Sequence, residues 1–141
     1  MNSGIPMLEE NAKILANRFP VVLDRILKSG NRASDNFFYE EQKGKFILMT
    51  QRGEHSFPAY GSHNKKKLIK RWFDGLNLEK ESLYAVTGFG DGTHIQYFLE
   101  NSSNGAYCIG TEKDTSILRE TFSRIDCSEI LSHERFGLGT G

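Results

Sequence analysis

The sequence is poor in the residues that staple or anchor a chain. Its two cysteines, Cys108 and Cys127, lack the CxxC spacing of a zinc or redox site and are too few for a disulfide scaffold, so both read as reduced structural thiols. The four histidines, His55, His63, His94 and His133, form no HxxxH pair and none stands at ligand spacing from a cysteine. A metal site built from them is not expected. No apolar run approaches a membrane span, and MNSGIPMLEE has no basic stretch followed by an apolar one, so the expectation is a cytoplasmic protein with no membrane partner. An excess of one charge is missing too. Eighteen Lys and Arg balance eighteen Asp and Glu, which leaves no global field to draw the chain to nucleic acid.

What is present is enough for one core: 38% of 141 residues are hydrophobic. From Leu8 to Lys28, Ile14, Leu15, Val22, Leu23, Ile26 and Leu27 recur at helical intervals. Pro20 interrupts them, predicting two helices or a bent one, closed by Gly30 and Asn31. The stretch NFFYEEQKGKFILMTQRGEHSFPAY alternates aromatic and β-branched clusters with the turns QKGK and QRGE, which predicts a small antiparallel meander. HNKKKLIKRWFDGL, from His63, predicts a helix with Leu68, Ile69, Trp72 and Phe73 on one side and Gly75 at its end. Lys65, Lys66, Lys67, Lys70 and Arg71 make this helix basic, as a solvated face or as a contact for phosphate or an acidic partner.

Beyond Gly75 the pattern becomes strand, glycine turn, helix, strand, helix, strand. Strands are predicted at Ser82–Thr87, Ala106–Thr111 and Arg135–Leu138, helices at Thr93–Asn101 and Thr115–Ile125, and a short turn at Ser128–Leu131. Such alternation makes βαβ units and a parallel sheet. The fold class expected is α/β: an incomplete Rossmann-like parallel sheet (βαβαβ) over residues 79–141, preceded by a small α+β region over residues 1–78. Three parallel strands are half of a doubly wound domain, so the chain is expected to be the N-terminal part of a longer protein and inactive alone.

The candidate site is GFGDGTH. Gly88 permits a sharp exit from the strand, Gly90 lets backbone approach a ligand, and the helix after Gly92 opens with unpaired N–H groups. The spacing GxGxG is closer to the glycine loop of class I methyltransferases than to GxGxxG. Glu112, about 20 residues further on at the end of the next strand, is placed to accept hydrogen bonds from ribose hydroxyls. Asp114 either joins it or caps the following helix. Asp91 repels a bare diphosphate unless it points outward or holds a cation. His94 is a candidate base or ligand contact, or packs on the sheet. No nucleophile has a recognisable setting.

Taken in order, NAKILANRFPVVLDRIL, the β-rich stretch, FPAYGSHNKKKLIKRWFDGL, LYAVTGFGDGTHIQYFLE and YCIGTEKDTSILRETFSRIDCSEIL resemble the motility-associated factor (Maf) family. That family shares a domain with archaeal 6-hydroxymethylpterin diphosphokinases. Gly88, Gly90, Gly92 and His94 match its glycine loop, and Glu112 and Asp114 its acid motif. YGSHNKKKLI lacks the proline and glutamate common there in the family, and Lys113 stands where proline is common. The resemblance implies a nucleotide-dependent transferase moving a nonulosonic acid from a CMP-activated nucleotide sugar to flagellin or a similar protein acceptor. The diphosphokinase relatives imply diphosphate transfer from ATP to a pterin. From the residues themselves, an S-adenosylmethionine-dependent methyltransferase and a non-catalytic docking module stay open. A divalent metal requirement is undecided.

Overall fold

The structure is a computed structural model and describes residues 6–29, 36–60 and 64–140. The elements in chain order are α1 (Glu9–Arg18), α2 (Pro20–Lys28), β1 (Phe37–Gln42), β2 (Lys45–Arg52), β3 (His55–Pro58), α3 (Lys65–Asp74), β4 (Glu81–Thr87), α4 (Thr93–Asn101), β5 (Gly105–Glu112), α5 (Thr115–Arg124), α6 (Ser128–Ser132) and β6 (Phe136–Thr140). Pro20 is the first residue of α2, where its missing N–H costs nothing, and so the interruption yields two helices. The expected helix end at Gly30 and Asn31 lies outside the described residues, as do Ser62, His63 and Gly141.

The meander forms as an antiparallel sheet in the order β1-β2-β3. Lys43 and Gly44 turn between β1 and β2 with φ of 52° and 78°. Positive φ at both central residues matches the twist of a two-residue hairpin. Strands β4, β5 and β6 make a separate parallel sheet in that order, with Leu83 opposite Tyr107 and Cys108 opposite Phe136. With α4 and α5 as the intervening helices, this is an incomplete Rossmann-like βαβαβ arrangement in a mixed α/β fold.

Side chains alternate across a strand, so each strand divides its residues between two faces. On one face Ala106, Cys108, Phe136 and Leu138 are buried in a core with Ile95, Phe98, Leu99, Leu118 and Phe122. Leu15, Val22 and Ile26 of α1 and α2 belong to that same core. On the other face Leu83 is 66% and Tyr107 48% exposed.

Polar side chains lock the N-terminal helices in place. Asn11 Nδ2 donates to the carbonyls of Phe122 (3.0 Å) and Ile125 (2.7 Å), while its Oδ1 accepts from Cys127 N–H (2.9 Å). Arg18 donates to the carbonyls of Leu131, His133 (2.9 Å) and Phe136 (3.0 Å). Apart from the bond to Phe136 at the start of β6, these satisfy backbone groups at and just beyond the ends of α5 and α6.

Two expectations are corrected. Arg135 is not the first residue of the last strand: Phe136 N–H bonds to His133 O, making a turn that points the Arg135 guanidinium inward. Leu68 does not share the buried side of α3, because α3 packs on α4 through Trp72 and Phe73, and Leu68 is exposed.

Candidate ligand site at the glycine loop

Gly88, Gly90 and Gly92 have φ of 90°, 56° and 83°, the left-handed region that a side chain strains. Their surroundings differ. A Cβ at Gly88 would meet nothing within 4 Å, one at Gly90 would collide with the Tyr60 hydroxyl, and one at Gly92 would come within 2.8 Å of Ile130 Cδ1. Gly88 therefore borders open space, Gly90 admits a side chain of the protein itself, and Gly92 allows the loop to pack on α6.

Most peptide groups of the loop are held. Gly88 N–H extends the β4–β5 ladder to Thr111 O (2.7 Å), and Gly92 N–H bonds to Phe89 O (3.0 Å). Phe89 N–H donates to Glu112 Oε1 (3.1 Å), Thr121 Oγ1 donates to Gly90 O (2.9 Å), and Asp91 N–H donates to Tyr60 Oη (3.2 Å). The Gly90 N–H has no such partner among the described residues.

Asp91 points inward and is buried. Its Oδ1 accepts from Thr93 N–H (3.0 Å) and Thr93 Oγ1 (2.7 Å), which closes the start of α4, and its Oδ2 pairs with the Lys65 ammonium. Burial alone would raise its pKa, but Lys65 and the Thr93 bonds prevail and hold the carboxyl below its ordinary range. The cation that the loop carboxylate needs is thus a lysine at the first turn of α3. Lys65 also lies 4.5 Å over the Tyr60 ring. Lys70 pairs with Asp74 on the same helix, so this basic helix already spends two of its cations within the chain.

His94 uses both ring nitrogens. Nε2 lies 3.0 Å from Gly88 O and Nδ1 2.9 Å from Tyr60 Oη. A carbonyl only accepts, so Nε2 carries the proton and Nδ1 of the neutral ring accepts from the Tyr60 hydroxyl. Burial lowers the His94 pKa, partly opposed by the Gly88 carbonyl, in keeping with that neutral ring. Burial pushes the Tyr60 hydroxyl up, keeping it a donor. His94 is therefore a packed and bonded histidine of the loop, held between Tyr60 and Trp72.

Glu112 ends β5, buried, and its two oxygens accept from Phe89 N–H and Asp114 N–H (3.1 Å each). Asp114 caps α5 by accepting from Ser116 N–H (2.9 Å). Gly88, Gly90, His94 and Glu112 nevertheless line one cleft of about 370 Å³, closed from the other side by Phe37, Leu48, Ala59 and Tyr60 of the meander region. Of the residues expected at the site, Gly88, Gly90, His94 and Glu112 share this lining, while Gly92 and Asp114 serve packing and capping beside the cleft. No local pattern marks Tyr60 or Thr121 as a site residue, and Lys65 belongs to the basic helix expected as a solvated face or as a contact for phosphate or an acidic partner. The charge of Asp91 was the available signal for Lys65, since a buried carboxylate calls for a cation. Among the described residues, no group of three or more His, Cys, Asp and Glu is placed to hold a metal ion.

Compared with known proteins, the chain matches no family model, no curated protein and no solved structure.

Proposed function

We propose that the cleft is the donor site of a nucleotide-dependent transferase of Maf type, taking a CMP-activated nonulosonic acid for transfer to a hydroxyl of flagellin or a similar acceptor. The observation that carries this reading is the position of the cleft. It opens at the carboxyl ends of β4 and β5, beside a glycine loop with open space at Gly88 and a Gly90 N–H that has no partner among the described residues. Ligands of open α/β sheets bind at the carboxyl ends of the strands. A volume of about 370 Å³ suits a nucleotide of modest size.

The charge of the cleft supports one phosphate over two or three. Among the described residues its lining holds Glu112 and no lysine or arginine, and Lys65 is taken by Asp91. A CMP ester fits that balance better than ATP, so glycosyl transfer is preferred to diphosphate transfer. The same balance favours, as a second reading, the S-adenosylmethionine of a methyltransferase, whose sulfonium is cationic. Such a transferase would work in the cytoplasm; no helix among the described residues is long and apolar enough to cross a membrane.

Calorimetric titration with CMP, ATP and S-adenosylhomocysteine separates the readings. Saturable binding of CMP at least tenfold tighter than of the other two is expected. Tighter S-adenosylhomocysteine binding would move the assignment to a methyltransferase, and no CMP binding at millimolar concentration would remove the donor reading.

A further inference from the structure

The Tyr60 hydroxyl occupies a place where a ligand oxygen would be expected. It accepts from the Asp91 N–H at 3.2 Å, in the loop whose neighbouring Gly90 N–H has no partner among the described residues. The absent Cβ of Gly90 is what lets this hydroxyl approach. Tyr60 comes from just beyond β3, and its side chain belongs to the wall that separates two cavities. One is the glycine-loop cleft; the other, about 220 Å³, is lined by Tyr60, Leu68, Ile69, Trp72 and His94. A side chain between two spaces can leave the first for the second without breaking the core.

We propose that Tyr60 is a displaceable stand-in for an acceptor oxygen of the ligand, a phosphate or hydroxyl oxygen, and that it gates the glycine loop. When the ligand enters, its oxygen takes the Asp91 N–H and the Tyr60 side chain turns toward the Trp72 cavity. His94 Nδ1 then loses the hydroxyl that donates to it. Glu112 does not gate in this way, because its two bonds to Phe89 N–H and Asp114 N–H hold the loop to β5 and α5 from behind. The choice of ligand rests on the donor reading above; the gate does not.

The test compares wild type with Tyr60→Phe, which keeps the ring and removes the competing hydroxyl, using CMP, cytidine and inorganic phosphate as probes. One hydrogen bond released from competition predicts about three- to tenfold tighter binding in Tyr60→Phe. CMP against cytidine and phosphate tells which part of the nucleotide supplies the oxygen. Equal or weaker binding of every probe in a variant with an unchanged melting temperature overturns the gate and leaves the donor reading standing. A ligand-free measurement is independent of that reading. Amide exchange followed by NMR is expected to be at least about tenfold faster at Asp91 than at Phe89, because the Tyr60 bond opens and the Glu112 bond does not. Equal protection overturns the gate. No probe binding together with fast Asp91 exchange upholds the gate and overturns the CMP assignment alone.

Discussion

The two ends of α4 are held by opposite charges, in opposite ways. At its start the Asp91 carboxylate accepts from Thr93 N–H, and at its end the Arg135 guanidinium donates to Leu99 O (2.6 Å), Ser102 Oγ (2.8 Å), Ser103 O (2.7 Å) and Ala106 O (2.7 Å). Both complement the helix dipole, the carboxylate at its positive amino end and the guanidinium at its negative carboxyl end. Arg135 is buried among backbone carbonyls that move only if the fold moves. Asp91 is held by the N–H and hydroxyl of Thr93 and by the Lys65 side chain, and its N–H by the Tyr60 side chain. The end with exchangeable partners faces the cleft; the end with fixed partners anchors the helix.

Breaking the fixed end should have the largest effect. Arg135→Met leaves the Leu99 and Ala106 carbonyls without this donor, at about 1–3 kcal/mol for each buried group left unsatisfied, while the Ser103 carbonyl keeps the Ala106 N–H. A loss of about 3 kcal/mol or more is expected in urea denaturation. That is a large share of a typical stability of about 5–15 kcal/mol. A loss under about 1 kcal/mol would mean that the carboxyl end is not the anchor.

Asp91→Asn sharpens the contrast with a smaller cost. The amide oxygen still accepts from Thr93, while Lys65, partly exposed, returns to water. About 1 kcal/mol is expected at neutral pH. The signs follow from the lowered pKa of Asp91. The carboxylate's contribution is fully present above its unfolded value near 3.8 and is lost as pH falls through the lower folded value. The variant should therefore lose less stability than wild type when both are melted at pH 4 and pH 2. Parallel loss in the two proteins would contradict the Lys65–Asp91 pair.

The smallest effect expected is at His94. Its folded pKa lies below 6.5, so between the two values only the unfolded chain takes the proton, and stability declines as pH falls below about 6.5. His94→Gln should remove that part of the decline. His133, whose pKa is also lowered, stays in both proteins, so the difference between them isolates His94. An identical slope from pH 7 to pH 5 in both would show that the folded protein protonates His94 as readily as the unfolded chain does, contradicting the bonded neutral ring.

The same contrast explains what could be read in the sequence. α4, β4 and β5 follow from local pattern: Ile95, Phe98 and Leu99 at helical spacing, and a glycine turn between apolar runs, are short-range signals. The glycines, Asp91 and Glu112 stood out for the same reason. Arg135, Arg18 and Asn11 did not, because their partners lie 29 to 118 residues away and no local pattern marks a polar residue that will be buried. Tyr60 ends the meander and read as one more aromatic strand residue; only the approach of two separate sheets reveals its contact with Asp91. The buried thiols were legible as structural. Burial pushes Cys108 up to about 11 and Cys127 up to about 12, far from a reactive thiolate.

The most direct test of the central claim, that the loop is a ligand turn, is an NMR titration of the wild-type protein with CMP, following backbone amide signals. Saturable shifts concentrated at Gly88, Phe89, Gly90 and Glu112 are expected. Unmoved signals at those four residues at millimolar CMP, or shifts of equal size spread over α1 and α2, would contradict it.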